Sequence, residues 1–248
     1  MGKAAFETRI SDAHYSRESE FERSCKRMML AMVPQTPPLH ILDVGCGTGL
    51  NASTLAAAGH TVSGVDVSPV AIEQFRTKGF QGYVCDVETQ AIPVPDGTFD
   101  LIHASYIIEH LSDTATFLSE MFRVLKPQGI ALISTTNSAF WAYRVLEMLG
   151  QTASEVQHPG HVRFFSKRNL RREVESSGFK VSEMTARHMY LVLGSMFDPL
   201  SPLLRLLGFE KEHRFATGGH FWQFSRFAKR ASGFWADTLF VVATKPES

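Results

Sequence analysis

The sequence predicts an α/β fold with a doubly wound, mostly parallel sheet. From residue 39 onward, short apolar strands alternate with helical segments, which is the order typical of such a sheet. The strands are apolar on both faces, as a sheet covered by helices on both sides requires. With 248 residues, 44% apolar and 20% charged, the chain is large enough for a substantial core, and we expect a globular protein.

The alternating part of the chain has recognisable start and stop signals. Ser68 followed by Pro69 begins a helix, because serine caps a helix and proline suits its first position. Asp113 is a candidate cap for a later helix, which the turn Lys126-Pro127-Gln128-Gly129 ends. The predicted elements are strand 39–45, helix 50–58, strand 61–67, helix 69–78, strands 82–87 and 99–107, helix 113–125 and strand 129–136.

The pattern changes after residue 137. A first aromatic-rich insertion covers 138–165, and a longer one covers 190–236. Between and after them we predict a helix at 166–177, a strand at 179–189 and a last strand at 238–244. We interpret both insertions as a lid on the sheet rather than as a separate domain.

An amphipathic helix is predicted at 17–33, before the first strand. We therefore divide the chain into an N-terminal helical cap at 1–38 and a main domain at 39–248.

Charge and cysteine usage narrow the function classes. The chain has 25 basic and 25 acidic residues, so the positive field expected of a nucleic-acid binder is missing overall. The three cysteines are not spaced for zinc and fit reduced thiols. The first thirty residues lack the apolar core of a signal peptide, and no run of 18 apolar residues exists, so we expect a cytoplasmic protein.

A glycine-rich turn follows the first predicted strand in the segment ILDVGCGTGLNAS. Gly45, Gly47 and Gly49 let the backbone turn tightly and bring its N–H groups close to a ligand at a helix N-terminus. A dinucleotide-binding loop needs a third glycine where this chain has Leu50. The spacing therefore argues against a dehydrogenase that binds a nicotinamide dinucleotide.

The stretch from Asp43 to Gly49 resembles the first motif of the class I S-adenosylmethionine-dependent methyltransferases. Further landmarks follow in order. Asp66 ends the second strand, where a carboxylate can accept two hydrogen bonds from ribose hydroxyls, and Asp86 ends the third in CDVE, where the family places an acidic residue near the adenine amine. GTFDLIHAS and RVLKPQGIALIST resemble the next two motifs, so the resemblance covers roughly residues 39 to 137.

This resemblance implies a Rossmann-like sheet of seven strands, mostly parallel, in the order 3-2-1-4-5-7-6 with the last strand antiparallel, together with helical lid insertions. It implies S-adenosylmethionine as cofactor and S-adenosylhomocysteine as product. The predicted cofactor-binding residues are Asp43, Gly45, Cys46, Gly47, Gly49, Asp66, Val67, Asp86, Val87, Ala104 and Ser105.

Two histidines are candidate catalytic groups. The segments IIEHL and HVRFFS are most similar to the quinone-ring O-methyltransferases, in which a histidine of the second segment faces the substrate, so His161 is the first candidate and His110 the second. His60 and His103 are interpreted as structural. Some relatives hold a metal through Glu-x-x-Glu-His, but Tyr106 replaces the first glutamate here. One carboxylate and one imidazole are too few ligands, so we expect no metal.

The acceptor is predicted only as a class. The aromatic insertions suit a small-molecule or lipid-like acceptor, although the same rings also suit the core of the lid itself. The leading hypothesis is methylation of a hydroxyl. The alternatives are an N- or C-methyltransferase and a non-catalytic module that binds the cofactor, and RNA methylation is disfavoured by the neutral charge. Residues 198–235 suggest peripheral membrane contact, which an amphipathic lid helix also explains, and the oligomeric state is not predicted.

Overall fold

The protein is described by a computed structural model at residues 28–157, 160–187, 190–194, 201–206, 209–214, 219–224, 234 and 236–247. Its main sheet has seven strands in the order β3-β2-β1-β4-β5-β10-β6. β10 is the last of these seven along the chain, and it pairs antiparallel with both β5 and β6. The remaining neighbours within this sheet pair in parallel. The predicted fold class and strand order are therefore confirmed.

The strands are β1 His40–Val44, β2 Thr61–Asp66, β3 Gln81–Val84, β4 Phe99–Ser105, β5 Leu125–Thr136, β6 Lys180–Arg187, β7 Tyr190–Gly194, β8 Phe209–Arg214, β9 Gly219–Phe224 and β10 Thr238–Thr244. The helices are α1 Leu50–Ala57, α2 Pro69–Thr77, α3 Thr114–Val124, α4 Trp141–Met148, α5 Ala153–Val156, α6 Lys167–Ser176 and α7 Ser201–Leu206. A 3-10 helix at Ile108–His110 follows β4.

The sheet is sandwiched between two apolar layers. On one face, α3 and α6 pack against buried residues of the central strands, and on the other, α1 and α2 do so together with Met29 and Val33. Strand β1 shows why both faces are apolar, since Leu42 belongs to one layer and Ile41 to the other. Because β3, β2, β1 and β4 are parallel neighbours, their carboxyl ends share one edge, where ligands of open α/β sheets bind.

The helix signals read from the sequence have the expected geometry. The Ser68 side chain accepts a hydrogen bond from the Ala71 amide at 3.1 Å, and Pro69 is the first residue of α2. The Asp113 carboxylate accepts hydrogen bonds from the amides of Ala115 and Thr116, so it caps α3.

Two expectations need correction. Strand β5 begins at Leu125 rather than at residue 129, because Leu125 pairs with Phe99 of β4 before the register shifts. The Gln128 amide also donates to the Lys245 carbonyl at 2.9 Å, just after β10. The first insertion is helical, with α4 and α5, but the second contains a three-stranded antiparallel sheet in the order β7-β9-β8 besides the short α7. The local aromatic pattern did not reveal this pairing.

Some predictions fall outside the described residues. Most of the predicted helix at 17–33 lies there, although Met28, Met29 and Leu30 are helical. The division into a cap and a main domain stays a prediction. Much of the 198–235 segment also lies outside, so the membrane contact is not tested. In the part of the chain that the structure covers, no helix is long and apolar enough to cross a membrane.

Candidate active site

The glycine loop joins β1 to α1 at the shared strand edge. Gly45, Gly47 and Gly49 have φ angles of +68°, +52° and +84°, a left-handed conformation that side chains disfavour. A side chain at Gly45 would also collide with Ile107, just before the 3-10 helix. The loop is tied to β2 because the amides of Gly45 and Cys46 donate to the Val65 carbonyl at 2.8 and 3.2 Å.

Asp66 organises this loop from the end of β2. Its buried carboxylate accepts hydrogen bonds from the Gly47 amide at 3.0 Å and from the Ser68 amide at 2.9 Å. A carboxylate can accept about four hydrogen bonds, so the predicted contact with ribose hydroxyls is compatible with these two. The sequence predicted only a ligand contact for Asp66, and the structure adds a second role, support of the glycine loop.

Asp86 lies at the corresponding edge after β3. Its carboxylate accepts from the Glu88 amide and the Thr89 hydroxyl, both at 3.0 Å, so it closes the turn that follows the strand. Val87 beside it packs against the buried core. Asp86 therefore stabilises this turn, and its contact near the adenine amine stays a prediction.

The remaining predicted cofactor residues lie along the same edge. Ala104 and Ser105 end β4, and the Ser105 hydroxyl is 3.1 Å from that of Ser134. Val67 follows Asp66 and is half-buried. All of the predicted residues therefore lie at the carboxyl ends of four neighbouring strands, which brings together Asp43, Gly45, Cys46, Gly47, Gly49, Asp66, Val67, Asp86, Val87, Ala104 and Ser105.

Glu109, in the 3-10 helix after β4, is a site residue that the sequence analysis did not select. Its side chain is 1% exposed, and neither carboxylate oxygen has a hydrogen bond of ordinary geometry within the described residues. Burial raises the pKa of Glu109 to about 7, and the nearby Thr135 hydroxyl and Thr136 backbone offset only part of this effect. A buried carboxyl with a raised pKa in a site of this kind is a functional candidate.

The two candidate histidines meet beside Glu109. The ring centroids of His110 and His161 are 4.9 Å apart, with an interplanar angle of 75°. His110 Nδ1 is 3.0 Å from the Gly160 carbonyl oxygen, which can only accept, so this nitrogen carries the hydrogen. In the neutral form of this ring, the lone pair is then on Nε2.

Backbone contacts hold the His161 segment in place. The amides of Val162 and Arg163 donate to the Glu109 carbonyl at 2.9 and 3.1 Å, and the Arg163 guanidinium donates to the Ser112 carbonyl at 2.5 Å. Residues about 50 positions apart in sequence are thereby joined across the site.

A divalent cation is a further candidate occupant. One potential ligand atom from each of Glu109, His110 and His161 lies within 4.8 Å of the other two, among the described residues. Two imidazoles and a carboxylate are a ligand set typical of catalytic zinc sites. The expectation of no metal counted only Glu109 and His110, and the structure adds His161 as a third group. That count was therefore incomplete.

Aromatic side chains of the first insertion line up near this edge. Phe140 contacts Trp141 and Tyr143 edge to face, with centroids 5.9 and 5.2 Å apart. Burial and, to a smaller extent, Asp237 raise the pKa of Tyr143 to about 12. Phe165, in contrast, is 1% exposed and belongs to the core. The insertion thus supplies both a cluster of rings and part of the core.

Comparisons with known proteins place the chain in a family. Residues 15–184 match a family model described as a methyltransferase domain. Malonyl-[acyl-carrier protein] O-methyltransferase of Serratia marcescens is 27% identical over 61% of this chain and 57% of its own. Ubiquinone biosynthesis O-methyltransferase of Thiobacillus denitrificans is 28% identical over 67% of this chain and 72% of its own. The chain spans about half the length of several other curated relatives.

A solved structure extends the likeness to the whole fold. An S-adenosylmethionine-dependent methyltransferase from Mesorhizobium loti is 17% identical and superimposes with a TM-score of 0.57, covering 88% of this chain and 96% of its own. At this identity the likeness shows the fold alone. The family match covers more than half of the chain, and the strand order and the glycine loop agree with it. The chain belongs to the S-adenosylmethionine-dependent methyltransferase family.

Proposed function

We propose that the protein transfers the methyl group of S-adenosylmethionine to a hydroxyl group of a small-molecule or lipid- or glycan-linked acceptor. The observation that supports this proposal is the cluster formed by Glu109, His110 and His161, which begins two residues after Ile107. Ile107 itself packs against Gly45 of the glycine loop. Groups able to accept a proton therefore lie next to the predicted cofactor site.

The chemistry of the cofactor explains the need for such groups. The sulfonium already activates the methyl carbon, so the protein mainly has to align the acceptor oxygen in line with the breaking carbon–sulfur bond. As the new carbon–oxygen bond forms, the hydroxyl proton has to leave. A histidine can accept it near neutral pH, while the sulfonium becomes the neutral thioether of S-adenosylhomocysteine. His161 is the first candidate for this base, and His110 the second.

A bound cation would change only how the hydroxyl is activated. Glu109, His110 and His161 would hold it, and it would supply Lewis-acid polarisation of the acceptor oxygen. In either case these side chains face the acceptor rather than the cofactor. The names of the Serratia and Thiobacillus relatives, both O-methyltransferases, add support for a hydroxyl acceptor.

The proposal is tested by identifying the methylated product. Cofactor labelled in its methyl group is incubated with the protein and a cell extract, and the labelled product is identified by mass spectrometry. An O-methyl product is expected. A product methylated only on nitrogen or carbon would overturn the hydroxyl assignment, and tight cofactor binding without transfer to any acceptor would favour the non-catalytic module.

The role of the base has its own test. We expect His161→Ala to lose the rising acid limb of the pH–rate profile, because the group that takes the proton is gone. An active His161→Ala variant with an unchanged profile would favour N- or C-methylation, in which proton removal demands less assistance.

A further inference from the structure

A buried polar pair lies on strands β1 and β4, just before the glycine loop. Asp43 in β1 and His103 in β4 are direct partners in the parallel register. His103 Nδ1 is 2.7 Å from Asp43 Oδ1, and the two side chains are 0% and 1% exposed. Burying an ionisable pair this fully is costly, and a hydrophobic pair of similar volume often serves stability as well. The pair therefore calls for an explanation beyond the packing of two strands.

Within the described residues, each side chain of the pair has one polar atom that makes no hydrogen bond. Asp43 Oδ2 and His103 Nε2 are buried without a hydrogen-bond partner among the residues that the structure describes. Because the carboxylate only accepts, His103 Nδ1 is the donor.

The Asp43 carboxylate lies beside the cofactor loop. Asp43 is two residues before Gly45, and its carboxylate, together with that of Asp66 and with burial as the larger cause, raises the pKa of the Cys46 thiol. A buried negative charge with an unused oxygen is stabilised by a cation that binds next to it. The amino-acid end of S-adenosylmethionine and of S-adenosylhomocysteine carries an ammonium group, which is such a cation.

We propose that His103 is a positioning residue for the cofactor. Its Nδ1–H fixes the rotation of the Asp43 carboxylate, so that Oδ2 stays directed to the ammonium group at the amino-acid end. The proposal rests on the family assignment and on the predicted role of Asp43 in cofactor binding. It changes the interpretation of His103, which the sequence analysis treated as structural. It also predicts that His103 affects only ligands that carry the amino-acid end.

Two ligands and two substitutions separate positioning from structural support. S-adenosylhomocysteine has the amino-acid end, and 5′-methylthioadenosine has the same nucleoside without it. His103→Asn places an amide donor where Nδ1 stood, while His103→Gln places it near the position of Nε2. Calorimetry measures both dissociation constants in each full-length variant. The quantity compared is the dissociation constant of methylthioadenosine divided by that of S-adenosylhomocysteine, because the fraction of folded protein cancels in this ratio.

We expect His103→Asn to keep the wild-type ratio within about twofold, since the hydrogen bond to Asp43 is restored. His103→Gln should weaken binding of S-adenosylhomocysteine by about tenfold, the loss typical of one hydrogen bond to a charged group, and leave methylthioadenosine within about twofold. An unchanged ratio in His103→Gln, or equal losses for both ligands, would overturn the proposal.

Asp43→Asn distinguishes the sources of failure. If Asp43→Asn lowers the ratio and His103→Gln does not, Asp43 contacts the amino-acid end without help from His103, and the inference about His103 fails alone. If Asp43→Asn also keeps the ratio, the predicted cofactor role of Asp43 fails. Absence of any binding of S-adenosylhomocysteine to the wild-type protein would instead contradict the family assignment on which both depend.

Discussion

Glu109 should make the folded protein less stable as the pH rises. Its pKa is raised from 4.5 to about 7 by burial, so between these values the folded state holds a proton that the unfolded state has lost. The unfolding free energy therefore falls as the pH rises from about 4.5 to 7 and stays low above it. A shift from 4.5 to about 7, at about 1.4 kcal/mol per unit, corresponds to roughly 3 kcal/mol.

The substitution Glu109→Gln keeps the shape of the side chain and removes the charge. We expect the variant to match the wild-type protein at pH 4.5 and to be more stable at pH 8, by an amount of the order of 3 kcal/mol. Urea unfolding at the two pH values measures this difference, in the presence of a chelator so that no cation compensates the carboxylate. Glu73→Gln is the matched control, because Glu73 is exposed on α2.

The reasoning is refuted if Glu109→Gln and the wild-type protein show the same pH dependence. It is equally refuted if the variant is destabilised by the same amount at both pH values, because Glu109 would then contribute packing or hydrogen bonds rather than a buried charge. The Glu73→Gln variant is the reference for removing one carboxylate from an exposed position.

Three further predictions concern the loop and the cluster. Gly45→Ala should abolish cofactor binding, because the new side chain collides with Ile107 and adds about 1–2 kcal/mol of left-handed strain. Gly59 also has a positive φ, +96°, but open space surrounds it. Gly59→Ala should therefore show the strain alone and bind the cofactor normally. Calorimetry and urea unfolding separate the two effects, and a loss of binding in both variants would contradict the collision. Zn²⁺ should raise the unfolding temperature of the wild-type protein but not of Glu109→Gln, and no shift in either would show that the cluster acts without a metal. Asp66→Ala should remove the hydrogen bond that holds the Gly47 amide and weaken the binding of S-adenosylhomocysteine by at least about tenfold, and an unchanged affinity would remove Asp66 from the site.

The regular part of the fold could be predicted because its signals are local. Ser68 and Pro69 begin α2, Asp113 caps α3, and the apolar run at 238–244 is β10 with the same bounds. The cofactor edge also follows from the sequence, since the carboxyl ends of successive parallel strands meet on one side of the sheet.

The rest depends on contacts between distant segments. Glu109 is a candidate site residue because of its contacts with the segment 160–163. The Val162 and Arg163 amides of this segment donate hydrogen bonds to the Glu109 carbonyl. Nothing in the letters IIEHL shows that the glutamate is buried or that His161 completes a group of three. The pairing of β9 with β7 and β8 is hidden for the same reason, because its register is set by strands up to about 30 residues away.

The most direct test of the account is a single-turnover measurement of methyl transfer by His161→Ala at saturating cofactor. In the proposed mechanism, His161 contacts the acceptor and not the cofactor. It therefore predicts a transfer rate at least about 100-fold below that of the wild-type protein, as is typical when a general base is lost, with the dissociation constant of S-adenosylhomocysteine unchanged. A transfer rate within about twofold of the wild-type value, or a parallel loss of S-adenosylhomocysteine binding, would contradict it.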